Sequence, residues 1–232
     1  MQLHKCQNLC ASIDQILNMA RKTAKENAEP VWVFVPDRFT LEAERILLRT
    51  TSCLLNVRVI TFSMLFNLVS GEQNFKPQTL DKTKAVLFMW NAINDVAGEL
   101  QWFRDTPHYS FAEKMFNTVN QLQSSMVDFD RLEKNAKADI TRKKMHDISV
   151  IYKRYRGLTA AYTDTGGVLN YLIQHIKSSK QVREVAIFMC GFEHLSIQRL
   201  AVVEELLRFA KEFVIGVREN SELEAQLAEV CL

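Results

Sequence analysis

The chain has 232 residues, 47% of them hydrophobic and 24% charged, with 29 Lys and Arg against 27 Asp and Glu, a formal charge of +2. This suits a globular protein with one large core, or one core carrying an insertion, and it excludes a surface that captures nucleic acid by net charge alone. No apolar run approaches the roughly 20 residues that cross a bilayer, and the opening MQLHKCQNLCAS lacks the apolar segment of a secretory signal, so a cytoplasmic protein without membrane contact is expected.

The first elements read as strand, helix, strand. Ile13, Ile16, Leu17 and Ala20 recur at helical spacing within residues 11–26, and Pro30 ends that helix before VWVFV at 31–35. That run is short, β-branched and aromatic, as a strand buried on both faces requires. Pro36 and Asp37 stop it, and Thr40 is placed to cap a helix over 41–49. VRVITF at 57–62 predicts another strand, with Ser63 placed to cap the helix after it. A β-α-β-α rhythm implies parallel pairing through crossover helices.

From about 80 to 178 the apolar period is helical throughout. Val86, Met89, Ile93 and Ala97 form one stripe, Phe111, Met115, Val119, Leu122 and Met126 a second, and Met145, Ile148, Tyr152, Tyr155, Leu158 and Tyr162 a third. Four or five helices are expected, broken near Pro107, at Asp128 to Asp130 and at Gly166-Gly167. Strand signals return at 182–190 and 213–217, with a helix between them capped by Ser196. A periodic helical segment, SELEAQLAEVCL, ends the sequence without a polar tail, the pattern expected of the front part of a larger protein.

Cys6, Cys10, Cys53, Cys190 and Cys231 are odd in number and read as reduced, structural thiols. Histidines are scattered at 4, 108, 146, 175 and 194, and no metal site is expected. Arg142, Lys143, Lys144, Lys153, Arg154 and Arg156 form a local basic cluster, either a DNA-contacting patch or a solvated helix face.

Five segments carry a resemblance: VFVPDRFTLEAERILL (33–48), VRVITFSMLFNLV (57–69), the Leu80 to Ile93 helix, KKMHDISVIYKRYRGLTAAYTD (143–164) and VAIFMCGFEHLSIQRLAVVEELL (185–207). Together they resemble the B subunits of bacterial helicase-nucleases, AddB and RexB. The resemblance implies an α/β fold with a parallel, P-loop-like sheet of the superfamily 1 helicase type and a large all-helical insertion. The α/β domain would comprise 1–75 and 180–232, and the helical domain 76–179. It also implies a larger parent that pairs with an A subunit of the AddA/RexA type, acts on DNA double-strand breaks, and carries an iron-sulfur cluster and Mg²⁺ in a carboxyl-terminal nuclease domain. No cofactor is expected in the segment at hand.

ATP hydrolysis in such a fold needs a glycine-rich loop between the first strand and first helix, followed by Lys and Ser/Thr. The corresponding stretch is HKCQNLCASIDQI, and the first glycine of the chain is Gly71. Cys6, Gln7, Asn8, Leu9 and Cys10 would fill the phosphate volume, Lys5 lies on the wrong side of the turn, and Ser12 alone retains a hydroxyl. At the second motor motif, Cys190 and Gly191 stand where acidic residues would hold Mg²⁺, with Glu193 nearby. No clustered carboxylates or nucleophile elbow suggest other catalysis, so this stretch is expected not to be an enzyme. Carried over from the family, the DNA-facing positions are Arg38, Thr40, Phe62, Ser63, Met64 and Asn67. Thr40 and Phe62 match, whereas Arg38, Met64 and Asn67 depart from the common pattern, which puts recognition of the family's recombination hotspot in doubt. Two local readings stay open: Phe62 stacks on a base or is core, and Thr40 contacts DNA or only caps its helix. At the level of function, a silent DNA-channelling scaffold stands beside a subunit-docking module without DNA contact and an ATPase with an unorthodox loop.

Overall fold

The structure, a computed structural model, describes residues 2–26, 29–49, 55–75, 78–105 and 108–230. In chain order, β1 (Gln2–Cys6), α1 (Leu9–Glu26), β2 (Val31–Phe34), α2 (Thr40–Leu48), β3 (Val57–Ile60) and α3 (Phe62–Glu72) come first. Next are β4 (Gln78–Thr79), α4 (Lys82–Asp95), α5 (Tyr109–Ser124), α6 (Asp139–Leu158), β5 (Tyr162–Thr163) and α7 (Thr165–His175). The last are α8 (Lys180–Glu184), β6 (Ala186–Met189), α9 (Ile197–Phe209), β7 (Glu212–Arg218) and α10 (Glu222–Val230). The chain divides into two compact units, Met1–Phe75 with Leu169–Leu232, and Lys76–Val168.

In the first unit, five strands form one sheet in the order β1-β7-β6-β2-β3, and every neighbouring pair is parallel. The middle strands β2 and β6 are buried at every residue, as apolar runs covered on both faces must be. Side chains alternate across the sheet. Val31, Val33, Phe188 and Val214 join Ile13, Ile16, Leu17 and Ala20 of α1 and Ala43 and Leu47 of α2 in one core, while Trp32, Phe34, Ile187 and Met189 are buried on the opposite face. The α1 stripe is thus the helical face predicted from its spacing. In the second unit, α4, α5 and α6 share a core that includes Met89, Ile93, Met115, Val119, Ile148 and Tyr155, and β4 pairs with β5 in a two-stranded parallel ribbon.

Several local expectations are corrected. Thr40 does not cap α2 by accepting an amide: a 3₁₀ turn over Asp37–Phe39 precedes the helix, and the Thr40 hydroxyl donates back to the Asp37 carbonyl at 3.1 Å. Thr61, not Ser63, caps α3, its side chain accepting from the Met64 amide. Gly166 and Gly167 do not break a helix but lie in the first turn of α7, where the Asp164 carboxylate accepts the Gly167 amide at 2.8 Å. Residues 182–184, expected to open the strand at 182–190, belong instead to α8, started by Ser179, which accepts from the Val182 amide. The Ser196 cap on α9 is present, accepting from Arg199. The break expected near Pro107 lies outside the described residues, as do Cys53 and Cys231. Among the described residues no helix is long and apolar enough to cross a membrane.

Candidate functional site

Because the five strands run parallel, their carboxyl ends share one edge of the sheet, where open α/β sheets bind ligands. At β1 that edge is closed. Cys6 is the last strand residue and Leu9 the first of α1, so the expected loop from Cys6 to Cys10 reduces to Gln7 and Asn8. Asn8 caps the helix: its side-chain oxygen accepts the Ala11 amide at 2.7 Å and its carbonyl accepts the Ser12 amide at 3.1 Å. A phosphate cradle needs a run of unbonded amides pointing at the ligand, and here the turn satisfies part of its own first turn. The Cys6 thiol donates to Gln15 at 2.9 Å.

Ser12 is fully buried and its Oγ has no hydrogen-bond partner among the described residues. It faces the sheet at Gly216 of β7, where a β-carbon would lie 2.5 Å from both Ser12 Oγ and Ile16 Cγ1. The one hydroxyl that the sequence offered to a metal is therefore held against a strand. Lys5 is engaged as well, 2.6 Å from Glu224 of α10. That hydrogen-bonded pair raises the ammonium and lowers the carboxyl from their ordinary values.

The end of β6 is closed to metal for a different reason. Cys190 is buried, and desolvation pushes its thiol up to about 12, so it stays protonated at neutral pH. Gly191 has φ of 82°, in the left-handed region, and a β-carbon there would lie 3.2 Å from Pro36 Cδ. A carboxylate at this position would need both a strained backbone and a shifted Pro36. Glu193 is exposed. The residues present do not fit a Mg²⁺–nucleotide, and among the described residues no three His, Cys, Asp or Glu side chains converge on a metal site.

Between β2, β3 and β6 the same edge stays open. A cavity of about 340 Å³ is lined by Arg38, Phe62, Gly191 and Glu193, all singled out in the sequence, and by Asp37, Phe192, His194 and Arg199, which were not. Phe62 is only 7% exposed. Its ring meets Phe34 at 4.8 Å and Phe192 at 6.0 Å, and the Arg199 guanidinium lies 5.3 Å over it. Its place is therefore in the cavity wall, with Arg199 over it, not as an open stacking platform. Two arginines oppose Asp37 and Glu193, so the mouth is charge-balanced. Thr40 is half-buried and does not line it, and Ser63, Met64 and Asn67 are exposed on α3. Met64 lines a separate groove with Leu47, Leu48 and Val59. A position three residues after a helix cap that follows a buried strand would have drawn attention to Arg199.

The basic cluster of the second unit is largely neutralised. Arg142 and Lys143 pair with Asp139 at 2.6 and 2.8 Å, Lys153 with Asp130 at 2.7 Å, Arg154 with Asp95 at 2.6 Å and Arg156 with Asp164 at 3.6 Å. Lys144 sits 4.9 Å over the Trp102 ring. Hydrogen bonds from these cations hold Asp139 and Asp130 below the ordinary carboxylate value. Five of the six cations are thus ion-paired on a solvated helix face.

The family model described as ADDB, N-terminal, matches residues 11–229. The chain belongs to the AddB N-terminal family. Its relatives include the B subunit of the ATP-dependent helicase/deoxyribonuclease of Lactobacillus helveticus, 23% identical over 217 residues that cover 88% of this chain and 18% of the relative. The corresponding protein of Listeria welshimeri is 26% identical over 217 residues, covering 90% of this chain and 18% of the relative. The AddB-family chain thus spans less than a fifth of the length of these relatives.

Proposed function

We propose that this region is a catalytically silent, helicase-like scaffold of a break-processing helicase-nuclease, guiding single-stranded DNA along the carboxyl edge of its sheet and contacting an A subunit. The observation that carries the reading is one edge with two fates: sealed at β1, where a motor would grip phosphate, and open between β2, β3 and β6. The P-loop-like layout is supported by the strand order, in which β6, the strand expected to bear the acidic pair, lies at the centre of the sheet with only β7 between it and β1. The names of the relatives, each the B subunit of an ATP-dependent helicase/deoxyribonuclease, support association with a second chain and work on DNA. The iron-sulfur cluster and Mg²⁺ of the family belong to a nuclease domain outside this stretch.

Arg38 and Arg199 are the residues for DNA, because neither has an ion pair among the described residues and both line the cavity. Replacing both with Ala in the complex with the A subunit is expected to weaken single-strand binding. If each contacts one phosphate, the slope of log affinity against log salt falls by about 1.4. An unchanged affinity and slope would remove the cavity from the DNA path. For the helical unit, the paired cations of α6 favour docking over DNA contact; crosslinks from residues 142–156 to DNA rather than protein would reverse that assignment.

A further inference from the structure

A second cavity lies at the opposite, amino edge of the sheet, where α3 ends and α8 leads into β6. The α3 helix closes with Asn74 in the left-handed conformation, φ 52°, while the Phe75 amide reaches back to the Ser70 carbonyl at 2.9 Å. This helix-ending motif delivers Phe75 onto Tyr171 of α7, ring centroids 4.8 Å apart and planes 9° apart. Tyr171 in turn stacks on His175, one helical turn along, at 4.0 Å and 14°. The three rings form a near-parallel ladder, braced by Phe66 edge-on to Tyr171 at 5.4 Å and by the Tyr171 hydroxyl donating to Gln73 at 3.0 Å.

The ladder ends at a cavity of about 680 Å³ lined by His175, Gln73, Gln181, Ser178, Lys180 and Glu72, within the roughly 300–1,000 Å³ of ligand pockets. His175 Nδ1 lies 2.8 Å from the Tyr171 carbonyl. A carbonyl only accepts, so Nδ1 carries a proton, and Nε2 is the ring nitrogen left for another partner. Both Glu72 oxygens already accept amides, those of Lys180 and Gln181, at 3.0 Å. Lys180 has no ion pair among the described residues; Gln73, whose Oε1 already accepts from Tyr171, supplies an amide donor, and Gln181 supplies both a donor and an acceptor.

A flat ring at the end of a braced stack, rimmed by amides, one imidazole nitrogen and one ammonium, matches the chemistry of a nucleobase: a π-face to stack, an edge to hydrogen-bond and a phosphate alongside. We infer that the amino-edge cavity is a nucleobase subsite in which a base extends the Phe75–Tyr171–His175 ladder, with Gln73 and Gln181 reading its edge. The inference does not depend on DNA guidance at the carboxyl edge, and variants of Arg38 and Arg199 leave it untouched.

The test is titration of the intact protein with thymidine, deoxyadenosine and a single-stranded 12-mer of each base, following the ring resonances of His175 and Tyr171. Saturable shifts are expected, with half-saturation at or below about 1 mM for the 12-mers. The His175→Ala variant should bind about 5- to 150-fold more weakly, while His175→Phe, which keeps the ring, should retain most of the affinity. Shifts with nucleosides and 12-mers alike assign the subsite to the base itself; shifts with 12-mers only assign it to a bound strand. No shift with any probe, or His175→Ala binding as the native protein does, overturns the inference.

Discussion

Two stretches of one sheet edge differ. The β1–α1 junction and the loops after β2, β3 and β6 leave the same side of a parallel sheet, yet the first is a two-residue, self-capped turn and the others surround a cavity. On the proposed reading, a parallel sheet can keep its order while the turns at its carboxyl edge differ in what they can hold. At β1 the loop is too short to wrap a phosphate. At β6 an acid in place of Gly191 would sit on a left-handed backbone, 3.2 Å from Pro36 Cδ. The sheet that would position both remains intact.

The largest expected effect tests that second point. Gly191→Asp places an L side chain at a left-handed position against Pro36 and should destabilise the protein by about 3 kcal/mol, measured by denaturant unfolding. Native-like stability together with new Mg²⁺ binding would show that the site is a lapsed acid and not a backbone device, and would break the comparison. A smaller effect tests the first stretch: Asn8→Ala removes the cap and should cost about 1 kcal/mol, whereas Asn8→Gly should cost only a few tenths. Equal stability of all three proteins would mean the turn is not held by its cap.

The smallest effect concerns Lys5 and Glu224, which tie β1 to α10 beside the sealed turn. Glu224 is lowered from its ordinary value of 4.5, so its contribution is complete above that pH and is lost as pH falls through the lower folded value. Lys5 is raised, so its contribution is present below 10.5 and disappears as pH rises through the higher folded value. Glu224→Gln should flatten both limbs of the stability–pH curve slightly, since the pair is solvent-exposed. A curve identical to that of the native protein would show that the pair holds nothing.

Where burial and period dominate, the fold was legible: VWVF and AIFM are covered strands, and the stripes of α1, α4, α5 and α6 are cores, except that Ala97 lies past α4, Met126 lies past α5 and is 51% exposed, and Tyr162 belongs to β5. The errors arose where a distant or competing partner decides. Residues 180–184 form a helical turn because Glu72, more than a hundred residues away, receives its amides. Gly166 and Gly167 enter a helix because the Asp164 carboxylate reaches the Gly167 amide, so two apparent breakers begin an element. The candidate site was half legible. The residue types at the ends of β1 and β6 were visible, but the shortness of the β1 turn, the φ of Gly191 and the cavity that Arg38 and Arg199 both line exist only in three dimensions. Phe62 illustrates the limit, since an aromatic at a strand end reads alike whether it is a platform or a wall.

Titration of the intact protein with Mg²⁺–ATP, followed by calorimetry, tests the account most directly. The sealed turn predicts no saturable binding tighter than about 1 mM, some 4 kcal/mol, and no change when Ser12 is replaced by Ala. Tighter binding that is lost with Ser12→Ala would contradict it, because a buried hydroxyl facing β7 would then have to reach a nucleotide's metal.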